Sequence, residues 1–159
     1  MIRKLLIIKL LLLAPASYAA NSITADKEFF TLFEAQTLVL EAGAFCLPMT
    51  IYLAQTGAQK RRGLMFVRRM AQDAGMLFYY KPPTTMSMWM KNTIIPLDIL
   101  FLDQTGTLIN IRANAKPYSL EPLRSEAKGS FALELNAGRA NELGLSPGMR
   151  IIDTGFLPE

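Results

Sequence analysis

The chain has 159 residues and 51% hydrophobic content, enough for one core of ordinary size, and its 17 basic and 13 acidic residues give a net charge of +4. It contains no histidine and a single cysteine, Cys46. Those counts exclude Cys-His and Ser-His-Asp catalysis, most zinc sites and any internal disulfide.

Residues 1–19 open on Arg3 and Lys4, run through apolar Leu5 to Ala14 with only Lys9 interrupting, and end on Pro15 and Ser17-Tyr18-Ala19. That is the layout of a secretory signal peptide, too short to span a bilayer. Cleavage after Ala19 is expected to leave Ala20 first, with no transmembrane segment, and to place the protein outside the cytoplasm, periplasmic or extracellular. Cleavage also removes Arg3, Lys4 and Lys9, so the 17 basic residues fall to 14 against 13 acidic ones. A mature charge near +1 gives no basis for a nucleic-acid partner.

Residues 20–36 show no sustained period and read as a loosely ordered mature N-terminus, followed by one β-rich domain over 37–159. Thr37 to Ala42 and Leu47 to Ala54 suit strands, with Gly43 between them, and Cys46 between Phe45 and Leu47 reads as a small buried apolar residue. Thr56-Gly57-Ala58-Gln59 has capping-box spacing, so a short helix begins there, with Lys60, Arg61 and Arg62 in its last turn and Gly63 as its stop. The alternative use of that basic cluster is an anion-binding rim. Gly75-Met76-Leu77-Phe78 reads as a buried strand, and Lys81-Pro82-Pro83 is expected to turn the chain before the next one.

Thr85 to Asp103 contains the only tryptophan, Trp89, and sets Asp98 inside an apolar run. Met86, Met88 and Met90 fall on one face of an extended segment, which fits core filling better than a copper(I) site. Leu97 to Leu102, the turn Asp103-Gln104-Thr105-Gly106 and Thr107 to Ile111 form the clearest hairpin in the sequence. Arg112 to Lys128, polar and carrying Pro117 and Pro122, reads as a long surface loop. Ser130 to Leu135 is a strand containing Glu134, Asn136 caps a short helix over Ala137 to Leu143, and a last strand covers Met149 to Ile152. Many short strands and one or two brief helices give a mainly β fold, a β-rich α+β domain built as a single compact sandwich or barrel. A doubly wound sheet is disfavoured, since it needs long crossover helices between the strands and the sequence shows none.

Four stretches carry a resemblance: Arg62-Gly63-Leu64-Met65, Gly75-Met76-Leu77-Phe78, Trp89-Met90-Lys91-Asn92-Thr93 with Pro96-Leu97-Asp98, and Leu133-Glu134-Leu135 with Ala137-Gly138. Together, over roughly Leu47 to Asp153, they resemble the domain-of-unknown-function 192 (DUF192) family of small, often exported prokaryotic proteins. One departure is Gly148-Met149, where that pattern would have glycine-aspartate. The resemblance implies a compact, mostly β domain and no particular reaction.

The candidate ligand-binding residues are Trp89, Asn92, Thr93, Asp98, Arg62 and Glu134. A carboxylate inside an apolar run needs partners: for Asp98 these are amides around Asn92 to Pro96, the Thr93 hydroxyl or Arg62, or else Asp98 and Asn92 face a cleft with Trp89 as an aromatic platform. The leading expectation is a periplasmic binding or accessory module for a small envelope ligand or a protein partner, with no metal and no cofactor. The alternatives are a carboxylate-dependent hydrolase acting on cell-envelope material, which needs Asp98 and Glu134 to converge, and a purely structural or protein-interaction domain.

Overall fold

The computed structural model describes residues 26–42 and 45–151. Residues 26–30 form a helical turn, α1, and the chain continues through β1 (Glu34–Ala42), β2 (Phe45–Ala54), α2 (Gly57–Arg62), β3 (Ala74–Met88), β4 (Leu97–Leu102), β5 (Leu108–Ala115), β6 (Leu123–Asn136) and α3 (Arg139–Glu142). The expected signal peptide lies outside the described residues. The stretch expected to be loosely ordered is, from residue 26, α1 and the start of β1, with Phe29 and Phe33 buried in the core. No helix among the described residues is long and apolar enough to cross a membrane.

The strands make one mixed sheet in the order β1-β2-β3-β6-β4-β5. All neighbours are antiparallel except β2 and β3, which run parallel. A parallel pair needs a crossover, and residues 55–73 supply it through α2. The fold is β-rich with short helices, and it contains this one parallel crossover among the described residues rather than the repeated crossovers of a doubly wound sheet.

Period-2 alternation sends side chains to two covered faces. Met76, Phe78, Leu97, Ile99, Phe101 and Ala132 point to one apolar cluster, closed by Phe29, Leu64, Val67 and Met70. Leu53, Leu77, Leu100, Leu102, Leu133 and Leu135 point to the other, closed by Ala140, Leu145 and Ile151. Covered on both sides, β4 is buried at every position, which is why its sequence reads as a continuous apolar run. Met86, Met88 and Met90 all belong to the first cluster, as core filling requires.

Several local expectations hold. Thr56 and Gln59 form the reciprocal capping box, and Gly63 ends α2 at a positive φ of 45°. In the β4–β5 turn, Asp103 Oδ1 accepts from the Thr105 and Thr107 amides and the Thr105 hydroxyl, with Gly106 at φ 80°.

Others are corrected. Lys81-Pro82-Pro83 does not end a strand: β3 runs through it, with three extra residues between the Tyr79–Phe131 and Thr84–Gly129 pairs, so the prolines sit where the ladder asks for no amide. The segment 112–128 is not a long loop. It is the end of β5, a connection over 116–122, and the first half of β6, where Arg124, Glu126 and Lys128 face outward and Ser125 is buried, accepting from the Met86 amide. The final helix spans only Arg139–Glu142 and starts from Gly138, whereas the Asn136 side chain donates to the carbonyls of Met70 and Ala71. Cys46 is exposed rather than buried, since alternation along β2 turns Met49, Ile51 and Leu53 inward and Cys46 outward.

The last expected strand reduces to a bridge between Thr107 and Arg150. Ile151 next to it donates to the Gly106 carbonyl, and its own carbonyl accepts from the Glu41 amide. One residue thereby ties β1, at one edge of the sheet, to the turn leading into β5, at the other.

Candidate functional site

A pocket of about 470 Å³ opens on the face of the sheet shared with the first apolar cluster. Residues of α2 and its exit (Lys60, Arg61, Arg62, Leu64 and Met65) form one wall, and Trp89, Lys91, Asn92 and Thr93, in the turn after β3, form the other. Phe78, Tyr80 and Glu134 make the floor. The two walls are joined at one end, where the Phe66 amide donates to the Asn92 carbonyl (2.8 Å) and the Asn92 side-chain amide lies against Met65 Sδ. Phe66 and Asn92 both take positive φ, as does Tyr118, whose amide donates to the Thr93 carbonyl. Three non-glycine residues in a sparsely populated conformation thus surround one turn.

Glu134 is the chemically distinctive group. In the sheet it pairs laterally with Met76 on β3 and Ile99 on β4, both fully buried and apolar. Its Oε2 is buried without a hydrogen-bond partner. Burial therefore pushes its carboxyl from the ordinary 4.5 up to about 8, so the acid is protonated at neutral pH. Burial also raises the neighbouring Tyr80 phenol, and the negative charge that Glu134 can carry adds to that rise. The Tyr80 hydroxyl lies 3.7 Å from Met88 Sδ.

The rim is cationic. Lys60 Nζ stands 4.8 Å from the centre of the Tyr80 ring, Lys91 Nζ stands 5.2 Å from that of Trp89, and the Arg62 guanidinium lies over Phe29 and Phe66. Among the described residues, the ion pairs are Arg112–Glu126 and Arg139–Glu142, both away from the pocket. Lys60, Arg61, Arg62 and Lys91 thus have aromatic or solvent surroundings and no carboxylate counterpart. Burial lowers the Lys60 amine below its ordinary value.

Asp98 is elsewhere. It is fully buried (0% exposed), on the opposite face of the sheet from Glu134, because Asp98 pairs with Leu135 and Ile99 pairs with Glu134. Its Oδ1 accepts from the Asn114 amide and its Oδ2 from the Ala140 amide, each at 2.9 Å. The first is a backbone group freed where β5 carries one extra residue between Ala115 and Arg112, and the second lies in the first turn of α3, whose N-cap Gly138 has no side chain to offer. Asp98 therefore holds a bulge and a helix start together. Its expected partners around Asn92 to Pro96, Thr93 or Arg62 are replaced by amides distant in sequence, and the convergence with Glu134 that paired-acid hydrolysis requires is ruled out by strand alternation.

Of the six residues singled out from the sequence, Arg62, Trp89, Asn92, Thr93 and Glu134 line this pocket, and Asp98 does not. Sequence reasoning missed Tyr80 and Lys91, and it read Lys60 and Arg61 first as charges ending a helix, with an anion-binding rim as the alternative use; both line the pocket. The signal available for the latter pair was their adjacency to Arg62-Gly63-Leu64-Met65. The described residues include no group of three or more His, Cys, Asp or Glu able to hold a metal.

All four stretches that carry the family resemblance contribute to this pocket. The model of the DUF192 family, described as an uncharacterized ACR, matches residues 38–152. The chain belongs to this family. Among solved structures, this DUF192 chain is similar to a protein of unknown function from Novosphingobium aromaticivorans, at 34% identity and a TM-score of 0.72, covering 75% of this chain and 85% of that one. It is also similar to a Sinorhizobium meliloti protein provisionally named a transcription regulator, at 39% identity and a TM-score of 0.72, covering 75% and 93%. No curated protein matches.

Proposed function

We propose that this DUF192 protein is an exported binding module that holds a small ligand between α2 and the Trp89–Thr93 turn. The observation that carries the reading is Glu134: a buried carboxyl with an unpartnered oxygen costs stability, and it lies on the floor of a pocket large enough for a small molecule. Trp89, 51% exposed at the rim, offers an aromatic face to that ligand. Backbone strain concentrated around the same turn supports a site shaped for binding at the expense of local stability. A two-carboxylate hydrolase is less well supported, since Glu134 is the only carboxyl among the described residues lining the pocket.

Export rests on residues 1–19 and predicts a mature protein starting at Ala20, periplasmic or extracellular. Mass spectrometry of the native protein reads that N-terminus directly, and an intact Met1 on a cytoplasmic pool rejects export. Binding is tested by a thermal-shift screen of envelope sugars, peptides and organic acids, with Trp89 fluorescence as a second readout at the pocket. A ligand that raises the melting temperature and perturbs Trp89 supports the module. If nothing in the screen does both, the domain serves a structural or protein-contact role.

A further inference from the structure

We propose that the ligand of this pocket is an amphipathic organic anion: a flat apolar body lying against Trp89 and Phe78, and an anionic oxygen that receives a hydrogen bond from the Glu134 carboxylic acid beneath the Lys60, Arg61, Arg62 and Lys91 rim. This deepens the binding-module reading and rests on it.

The charge around the pocket supplies the first argument. Four cations line it, and among the described residues none forms an ion pair. Lys60 is partly withdrawn from water over Tyr80, and burial lowers its proton affinity. A group in that position gains from an arriving negative charge. Surface cations usually gain little from a counter-ion because water screens them. Here, though, three of the four are held against aromatic rings at the pocket mouth, which fixes their direction.

The second argument comes from Glu134. Deprotonated, a carboxylate can only accept hydrogen bonds, and it would repel an anion. Protonated, it is a donor, and because Glu134 lines the pocket its carboxylic acid can give that hydrogen to a ligand oxygen. A hydrogen bond from a carboxylic acid to a carboxylate is charge-assisted and short. The groups lining the pocket with it are Lys60, Arg61 and Arg62 from the α2 side, Tyr80 from β3 and Lys91 from the turn, with apolar Ile99 beside it on β4; cations favour the ionised form, and it is burial that keeps the acid neutral. The acid and the cations are thus complementary to a single kind of ligand. An apolar body suits Leu64, Met65, Phe78, Met88 and Trp89, which line the pocket beside these polar groups.

The test compares three probes of one shape, 3-phenylpropanoate, 3-phenylpropanamide and 3-phenylpropylamine, by titration calorimetry with the mature protein at pH 6.5. The anion is expected to bind at least tenfold more tightly than the amide, and the amine not at all. With Glu134 titrating near 8, about a tenth of it remains protonated at pH 9, so propanoate affinity falls about tenfold there. Glu134→Gln keeps a neutral donor and should flatten that fall. Arg62→Gln and Lys91→Gln should each weaken the anion and leave the amide unchanged.

An amide or amine that binds as tightly as the acid overturns the ligand class and leaves the binding module standing. So does a screen hit of another chemistry that perturbs Trp89 while all three probes fail. A pH dependence that persists in Glu134→Gln assigns it to Lys60 and overturns the role given to the Glu134 proton. If no compound in the wider screen binds, both readings fall together.

Discussion

Replacing Glu134 by glutamine should change how the stability of the domain depends on pH. The carboxyl titrates at the ordinary 4.5 in the unfolded chain and at about 8 in the fold, and each tenfold change in proton affinity is worth about 1.4 kcal/mol. Ionising it in place therefore costs roughly 5 kcal/mol, a large share of the 5–15 kcal/mol that holds an ordinary domain together. Between those two values the folded state binds the extra proton, so stability is greatest below pH 4.5, falls as pH rises toward 8 and levels off above it. Glutamine is neutral, has nearly the same shape and lacks this titration. Urea unfolding at pH 5, 7 and 9 should show the wild type losing about 4 kcal/mol across the series while Glu134→Gln stays nearly flat and becomes the more stable protein at pH 9. If the two proteins lose stability in parallel, Glu134 is not buried as a neutral acid and the account of the pocket floor is wrong.

Three further outcomes follow from the same structure. Burial and the charge of Glu134 both hold the Tyr80 phenol above its ordinary value, so in Glu134→Gln the tyrosine absorbance titration should show one phenol moving down while the others stay. Asp98→Ala leaves the Asn114 and Ala140 amides without an acceptor and should cost about 2–5 kcal/mol, read as a lower melting temperature, whereas ligand affinity of the folded protein should not change because Asp98 does not line the pocket. Gly129→Ala brings a Cβ against the Leu102 carbonyl and within 2.8 Å of Ile109 Cδ1 and Met86 Cε. Backbone cannot yield there as a flexible side chain can, so a loss of about 1–3 kcal/mol or more in thermal unfolding is expected.

What the sequence made legible was local. The β4–β5 hairpin could be read because Asp103 and Gly106 satisfy the turn within five residues, and α2 could be read because Thr56 and Gln59 cap each other three residues apart. Glu134 stood out as a carboxylate in an apolar strand, but the direction it faces depends on its pairing with Ile99 and Met76. Its separation from Asp98 by the thickness of the sheet therefore needed the register. The partners of Asp98 come from Asn114 and Ala140, 16 and 42 residues away, and no spacing rule points to them. The passage of β3 through Pro82 was hidden for a related reason: proline breaks a ladder only where an amide is required, and the pairing with β6 skips that place.

The double attachment of Ile151 bears on how these molecules avoid one another. A six-stranded sheet leaves two outer strands whose unpaired amides and carbonyls can recruit a strand from a neighbouring copy, the usual start of β-mediated aggregation. Here the Glu41 amide on one outer strand and the Gly106 carbonyl beside the other are both occupied by Ile151, so each margin meets a chain segment already in place where a stranger would have to add. A shortened protein ending before Ile151 would lose a fully buried side chain of the second apolar cluster and free the Glu41 amide and the Gly106 carbonyl together, so lower stability and self-association at high concentration would appear as one defect.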